Sequence, residues 1–486
     1  MGVLEGLKPE RVFYYFEKIC GIPHGSYNVQ GISDYIVDVA RSLDLEVRQD
    51  ETLNVVIKKP ASEGYGPSPV LMLQGHMDMV CVKDPGTDID LEKEAIRLMV
   101  EDGFIHADHT SLGGDDGIAV AMGLALLEDD TIAHPPLEVV FTTQEEVGMD
   151  GALALDTSDL KASALLNLDS EAEGILTVGC AGGAALTCTI PAERESEQGR
   201  KLFLDISGLT GGHSGSEIDK ERANANVLLG RLLFELERIL PFALIDMAGG
   251  EKDNAIADGC KAQLLIRPED LTAAMDCVSA FEKTIQNEYR VQDPGIRIKA
   301  EDLGEAACPV IKGKTLENII SLLFEAPYGV QAMSMDMKGL VETSLNLGIL
   351  KSSEKSVCLT WSVRSCVASR KKLLLDRLTH LAKRLGGTVT IAGDYPEWPY
   401  NPDSRLCALI ADLYEKQNGK KPAVETIHAG LECGILGKKM PGLDMVSIGP
   451  DILDIHTTKE SLDTASVART YELVLHVLKE FGKYCG

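Results

Sequence analysis

Short apolar runs recur along this chain, and five of them stop at, or start from, a residue type that ligates metals. Val70-Leu-Met-Leu-Gln-Gly-His76 has the length of a strand and closes on His76, with Asp78 two positions on. Positions two apart share a face of an extended chain, so Asp78 can stand beside His76 or behind it as a hydrogen-bond partner. Leu137-Glu-Val-Val-Phe-Thr-Thr143, rich in β-branched and aromatic residues, predicts a second strand followed by Glu145 and Glu146. Ala164-Leu-Leu-Asn-Leu-Asp169 predicts a third that closes on Asp169, and Met445-Val-Ser-Ile-Gly-Pro450 precedes Asp454 and His456. The helical run from Ile118 to Leu127 follows Asp115 and Asp116, which puts Asp115 near a helix N-terminus, where free N–H groups and the helix dipole favour an anion. Alternation of strand-like and helix-like segments in the outer parts predicts a mostly parallel sheet flanked by helices, and in such sheets ligands gather at strand ends.

Imidazoles and carboxylates in this combination suit hydrolysis by two bridged metal ions. Zinc, manganese and cobalt accept mixed shells of this kind, and one carboxylate can bridge two ions. Such a pair, ~3.5 to 4 Å apart, activates a water and clamps a developing oxyanion. One carboxylate must then stay outside the metal shell to move protons. Adjacent Glu145 and Glu146 suit that division, because neighbouring side chains diverge.

The motifs Gln74-Gly-His-Met-Asp-Met79, Thr110-Ser-Leu-Gly-Gly-Asp-Asp-Gly117, Thr143-Gln-Glu-Glu-Val-Gly148, Asn167-Leu-Asp-Ser-Glu171, Gly211-Gly-His-Ser-Gly215, His428-Ala-Gly-Leu-Glu-Cys-Gly434 and Gly449-Pro-Asp-Ile-Leu-Asp-Ile-His456 occur in one order. Through them the chain resembles, over nearly its whole length, the dinuclear zinc aminopeptidase, dipeptidase and acylase family. The resemblance implies that His76, Asp115 and Asp169 hold one ion and that Asp115, Glu146 and His456 hold the other, with Asp115 as the bridge. It further implies Glu145 as general base and acid, Asp78 as the group orienting His76, and a cis peptide between Asp115 and Asp116. Two divalent ions per chain are expected, zinc first, with manganese or cobalt as alternatives. The implied activity is cleavage of dipeptides, Xaa-His among them. A tripeptidase or an N-acyl-amino-acid hydrolase is the alternative within the family, and a non-catalytic metal- or peptide-binding descendant the alternative outside it. Glu145 speaks against the last, since a binding protein needs no unligated base.

The metal motifs occupy residues 1–182 and return near 428, so a catalytic domain of 1–182 and 397–486 is expected around an inserted lid of 183–396. Pro396-Glu-Trp-Pro-Tyr-Asn-Pro402 reads as the return linker. Within the insertion, Ala262–Pro268, Thr272–Gln286 and Ile296–Ala300 are echoed by Cys358–Arg364, Lys371–Arg384 and Thr388–Ala392, which predicts an α+β lid of two similar halves, an internal duplication. Glycines around His213 allow close backbone approach, and His213 is either a donor to the oxyanion or a turn residue. The resemblance gives it the oxyanion role and gives Asn254 and Arg364 substrate contacts, with Arg364 suited to a bidentate grip on a C-terminal carboxylate. Glu432 is assigned to the substrate amino group. A doubled lid would let His213 serve its own chain, although a homodimer through the lid is still expected.

Composition narrows the partners. A net charge of −28 excludes nucleic acid and anionic membranes and leaves small peptides. The N-terminus has neither the basic start nor the apolar core of a signal peptide, and no run reaches membrane-spanning length. Twelve scattered cysteines without a CxxC pair read as free thiols of a reducing compartment, hence a cytoplasmic protein. His24, His106, His109, His134, His380 and His476 lie outside the motifs and are read as structural or surface residues.

Overall fold

Strand Leu71–His76 is buried at every position and pairs in parallel on both sides, with Leu137–Thr142 and with Ala164–Asn167. Burial on both faces is what its continuous apolar run demands. Asp444–Ser447 adds a fourth parallel strand beside Ala164–Asn167. These four form the centre of an eight-stranded sheet. Val55–Lys59 and Glu46–Gln49 extend it in antiparallel fashion on one side, and Ile175–Cys180 pairs antiparallel on the other. Helix Gly114–Glu128 is buried from Gly114 to Leu127, as its apolar run from Gly117 to Leu127 demands. It lies hard against the central strand: a Cβ on Gly75 would sit 2.6 Å from Asp116 Oδ2 and 2.7 Å from Ala119 Cβ. Only glycine permits this approach, which sets His76 beside the start of the helix.

The structure, a computed structural model, describes residues 2–484. It divides into a first unit of Met1–Cys180, Trp398–Thr426 and Leu431–Gly486, and a second of Ala181–Glu397 with Ile427–Gly430. The excursion at 427–430 is absent from a division with one return point near 397. In the first unit, a small sheet pairs Ile452–Leu453 with Ser461–Asp463, Ser461–Asp463 with Phe104–Ala107, and Phe104–Ala107 with Leu98–Glu101.

The second unit is a nine-stranded sheet whose described pairings are all antiparallel. It consists of two halves with one topology. The first runs Glu195–Ser207, helix Ala225–Glu237, Phe242–Gly249, Cys260–Ile266, helix Leu271–Glu288 and Arg297–Val310. The second runs Gly182–Pro191, helix Gly313–Glu325, Val341–Ser352, Ser356–Ser365, helix Ala368–Arg384 and Thr388–Tyr395. In each half the fourth strand is outermost, followed by the first, third and second. The second strands meet at the centre, with Ala248 opposite Lys351 and Gly249 opposite Leu350. One half is thus inserted into the other after its first strand, and the strand–helix–strand echo in the sequence is the latter part of each half. Side chains from all four helices join one apolar core with Trp361.

Among the described residues no helix is long and apolar enough to cross a membrane, and the cysteines are free thiols.

Candidate metal centre

The parallel strands deliver their chemistry at their C-terminal ends. His76 stands opposite Thr142 in register, and Gln74 opposite Asn167, so His76, the turn carrying Glu145 and Glu146, and Asp169 leave neighbouring strands side by side. Asp115 comes from the first turn of helix Gly114–Glu128, and the Asp115–Asp116 peptide is cis. His456 lies in the loop joining Ile452–Leu453 to Ser461–Asp463 and has a left-handed backbone, φ 60°.

Asp115 faces two imidazoles at once. Its Oδ1 is 3.1 Å from His76 Nε2 and its Oδ2 is 3.2 Å from His456 Nε2. Asp169 Oδ1 lies 3.6 Å from His76 Nε2, and Glu146 Oε1 lies 2.9 Å from His456 Nε2. His76, Asp115 and Glu146 offer ligand atoms within 4.8 Å of one another, and so do His76, Asp116 and Asp169. Asp116 has another task, since its Oδ2 accepts the main-chain N–H of His76 at 3.1 Å. We read it as fixing the strand end behind the imidazole.

The electrostatics of this cluster fit divalent cations. Burial opposes ionisation of Asp115, but its bonds to His456 and His76 outweigh burial and hold it below the usual carboxylate range. Burial, with Asp115 and Glu146 nearby, pushes Asp169 up to about 6 against the pull of His76. Burial first, then Asp115 and Asp169, lift Glu171 to about 7. Bonds to Asp115 and Glu146 raise His456 to about 10. Asp169 Oδ2 is buried with no hydrogen-bond partner. A cluster this rich in carboxylates calls for positive charge, and metal ions would take the place of its protons.

Asp78 plays two parts. His76 Nδ1 is 2.9 Å from the main-chain oxygen of Asp78 and 3.7 Å from its carboxylate Oδ1. That Oδ1 instead accepts the N–H of Glu145 at 3.0 Å, while Oδ2 accepts Ser26 Oγ–H at 2.8 Å. Burial, reinforced by Asp169, Glu432 and Glu146 over the opposing His76, raises Glu145 well above the usual range, which suits a proton carrier. Glu432 is fully buried; its Oε2 accepts Gln74 Nε2 at 2.6 Å and Thr142 Oγ1 at 2.5 Å, and its Oε1 has no partner. Burial takes its carboxyl up to about 8.

The second unit gathers a different set. Asp293, itself buried, accepts the N–H of Thr210 and of Ala223, both at 2.7 Å, and so clamps the ends of the loop that carries His213. Gly211, with φ 66°, gives that loop a turn a bulkier residue would resist. His213 Nδ1 accepts the N–H of Ser216 at 3.1 Å, which leaves the ring proton on Nε2, free to donate. Burial, then Arg364, lower the pKa of the ring. Gly212 and His213 pair with Ile256 and Ala255, and Ser214 N–H donates to the main-chain oxygen of exposed Asn254 at 2.8 Å.

Arg364 is buried, donates to Tyr395 Oη at 3.0 Å, and keeps Nε without a partner. Among the described residues no carboxylate forms an ion pair with it. His428, to which the sequence reading gave no role, joins this cluster: its Nε2 is 2.7 Å from Ser344 Oγ and its Nδ1 is buried without a partner. Burial, then Arg364 and His213, push it down to about 3. A guanidinium without an ion-pair partner, its Nε unpartnered, with the unpartnered Nδ1 of His428 in the same cluster, suits an anion. The signal available in sequence was His428 itself, at the head of its motif, without Ser344, its distant hydrogen-bond partner.

The six histidines set aside offer no atom to either ligand group. His24 and His134 are buried with Nδ1 on main-chain oxygens, and His109 pairs with Asp84 at 2.8 Å.

Comparison with known proteins gives the family. The model of peptidase family M20/M25/M40 matches residues 72–480. The chain is 36% identical over 482 residues to the cytosol non-specific dipeptidase of Escherichia coli, covering 99% of each. The crystal structure of aminoacylhistidine dipeptidase from Vibrio alginolyticus superposes with a TM-score of 0.90 at 34% identity, covering 98% of this chain and 97% of that one. An aminopeptidase from Bacillus cereus, at 16% identity and TM-score 0.58, over 98% of this chain and 99% of its own, shares the fold. The chain belongs to peptidase family M20/M25/M40.

Proposed function

We propose that this chain is a metal-dependent dipeptidase that hydrolyses dipeptides, Xaa-His among them, at a centre of two divalent ions held by His76, Asp115 and Asp169 on one side and Asp115, Glu146 and His456 on the other. One observation carries the reading: the two oxygens of Asp115 face two different imidazoles at 3.1 and 3.2 Å, the arrangement a bridging ligand needs. Zinc is the first choice for the donor set, with manganese and cobalt as alternatives. When bound, such a pair supplies an acidified water and polarises the scissile carbonyl.

Glu145 Oε takes a proton from the attacking water and delivers it to the amine nitrogen that leaves. Asp78 holds the main chain of Glu145 for this task and, through its own main-chain oxygen, fixes the tautomer of His76. His213 Nε2–H donates to the oxyanion at the scissile carbon. Arg364 binds the substrate's terminal carboxylate with His428 beside it, and Asn254 adds a substrate contact. Glu432 receives the substrate amino group through Oε1.

The two named dipeptidase relatives, each matched over nearly full length, support a dipeptide substrate. A cytoplasmic location and a homodimer joined through the second unit complete the proposal. The test is a screen of the zinc-loaded protein against dipeptides, tripeptides and N-acetyl amino acids. Cleavage confined to dipeptides is expected, whereas preferential cleavage of tripeptides or N-acetyl amino acids would overturn the substrate assignment.

A further inference from the structure

Glu460 lies outside every role assigned above. Its carboxylate, 3% exposed, accepts four successive main-chain N–H groups: Leu112 at 2.7 Å and Gly113 at 3.1 Å on Oε2, Gly114 at 2.8 Å and Asp115 at 3.3 Å on Oε1. Gly114 and Asp115 are free donors of the first turn of helix Gly114–Glu128, which no residue of the helix can serve, Gly113 is its N-cap, and Leu112 leads into it. Gly113, with φ 72°, turns the chain so that the donors converge. No N-cap side chain from the segment itself does this work.

Glu460 ends the same hairpin loop that carries His456, between Leu453 and its strand partner Ser461. One loop thus presents an imidazole to Asp115 Oδ2 and, four residues later, a carboxylate to the main chain of Asp115. Asp115 and His456, two of the three ligands proposed for the second ion, are thus tied to each other through Glu460. A bridging carboxylate must aim each oxygen at a different partner, and a small rotation about the main chain at residue 115 would spoil both.

We propose that Glu460 is a positioning residue of the metal centre, which sets the bridging Asp115 relative to His456. The proposal rests on the metal-centre reading above. Groups that hold ligands in place contribute roughly 10- to 100-fold to metal affinity when removed. Glu460→Gln places an N–H₂ group against N–H donors and halves the accepting capacity, while Glu460→Asp keeps the charge on a shorter arm.

The experiment titrates chelator-stripped wild type, Glu460→Gln and Glu460→Asp with zinc chloride by calorimetry, with circular dichroism and Tm recorded for each. Wild type should bind two ions. Glu460→Gln, folded by circular dichroism, should bind the weaker ion at least ~10-fold less tightly, and Glu460→Asp should recover part of that loss. At saturating zinc the loss should appear in kcat, with KM for a dipeptide changed less than about twofold, because Glu460 touches no substrate. Equal zinc affinities in wild type and a folded Glu460→Gln would overturn the proposal, as would a lowered Tm with unchanged affinity in both variants. Wild type that binds no zinc would overturn the metal-centre reading itself, and the proposal with it.

Discussion

Asp78 supports His76 through its main-chain oxygen, at 2.9 Å from Nδ1, and Glu145 through its carboxylate, at 3.0 Å from the main-chain N. The proposed metal ligand and the proposed proton carrier are therefore held by different atoms of one residue. Asp78→Ala removes only the second hold. It should keep both metal ions and lower kcat by about 10- to 100-fold, the usual effect of removing a supporting hydrogen bond. Metal analysis of the purified variant checks this, and loss of one ion would show that the carboxylate, not the carbonyl, orients His76.

Glu145 and Glu146 should separate cleanly. Glu145→Gln keeps shape without basicity, so kcat should fall at least ~100-fold with metal content intact. His456→Ala removes a ligand and should lower metal occupancy as well as activity. Metal stripped by Glu145→Gln but not by Glu146→Gln would exchange the two roles.

The anion seat predicts a requirement for a free terminal carboxylate. Amidating the C-terminus of a dipeptide should cost about 1.5 to 3 kcal/mol in kcat/KM, the scale of a hydrogen bond to a charged group. Lysine in place of Arg364 should fail to restore it, because a point charge lacks the guanidinium fork. Equal kcat/KM for a dipeptide and its amide would remove Arg364 from this role.

Buried His428 should leave a mark on acid stability. Its pKa is lowered to about 3 in the folded chain, so between that value and its ordinary value of 6.5 the unfolded chain binds the extra proton. Stability therefore rises with pH across this window and is lost as pH falls through it, by about 3 kcal/mol at pH 4. Denaturant midpoints from pH 7 to 4 should fall less steeply for His428→Asn than for the wild type. Parallel slopes would mean that His428 gains its proton without unfolding.

The ligand positions were legible because parallel strands buried on both faces must be apolar, so the polar residue that ends each run announces itself. His76, Glu146, Asp169 and His456 were proposed as ligands in this way and Asp115 from its place before an apolar helical run, with the resemblance dividing them between two ions. Asp116 and Glu460 were not, because their work is to accept main-chain N–H groups, which leaves no pattern in side-chain chemistry. His428 depends on Ser344, 84 residues away in the chain. The echo in the insertion was visible as strand–helix–strand, yet the interleaving of the halves rests on Ala248 and Gly249 pairing with Lys351 and Leu350. Pairing over a hundred positions leaves no local trace. Two-residue spacing put the side chain of Asp78 on the face of His76, but the chain leaves the sheet after His76, and the main-chain oxygen takes that place.

The most direct test of the bridged centre is the number of ions bound per active chain. Chelator-stripped protein titrated with zinc, with bound metal and dipeptide hydrolysis measured on the same samples, should reach full activity at two ions per chain, and Asp115→Ala should lose both ions and all activity. Full activity at one ion per chain, or an Asp115→Ala variant that still binds two, would contradict the account.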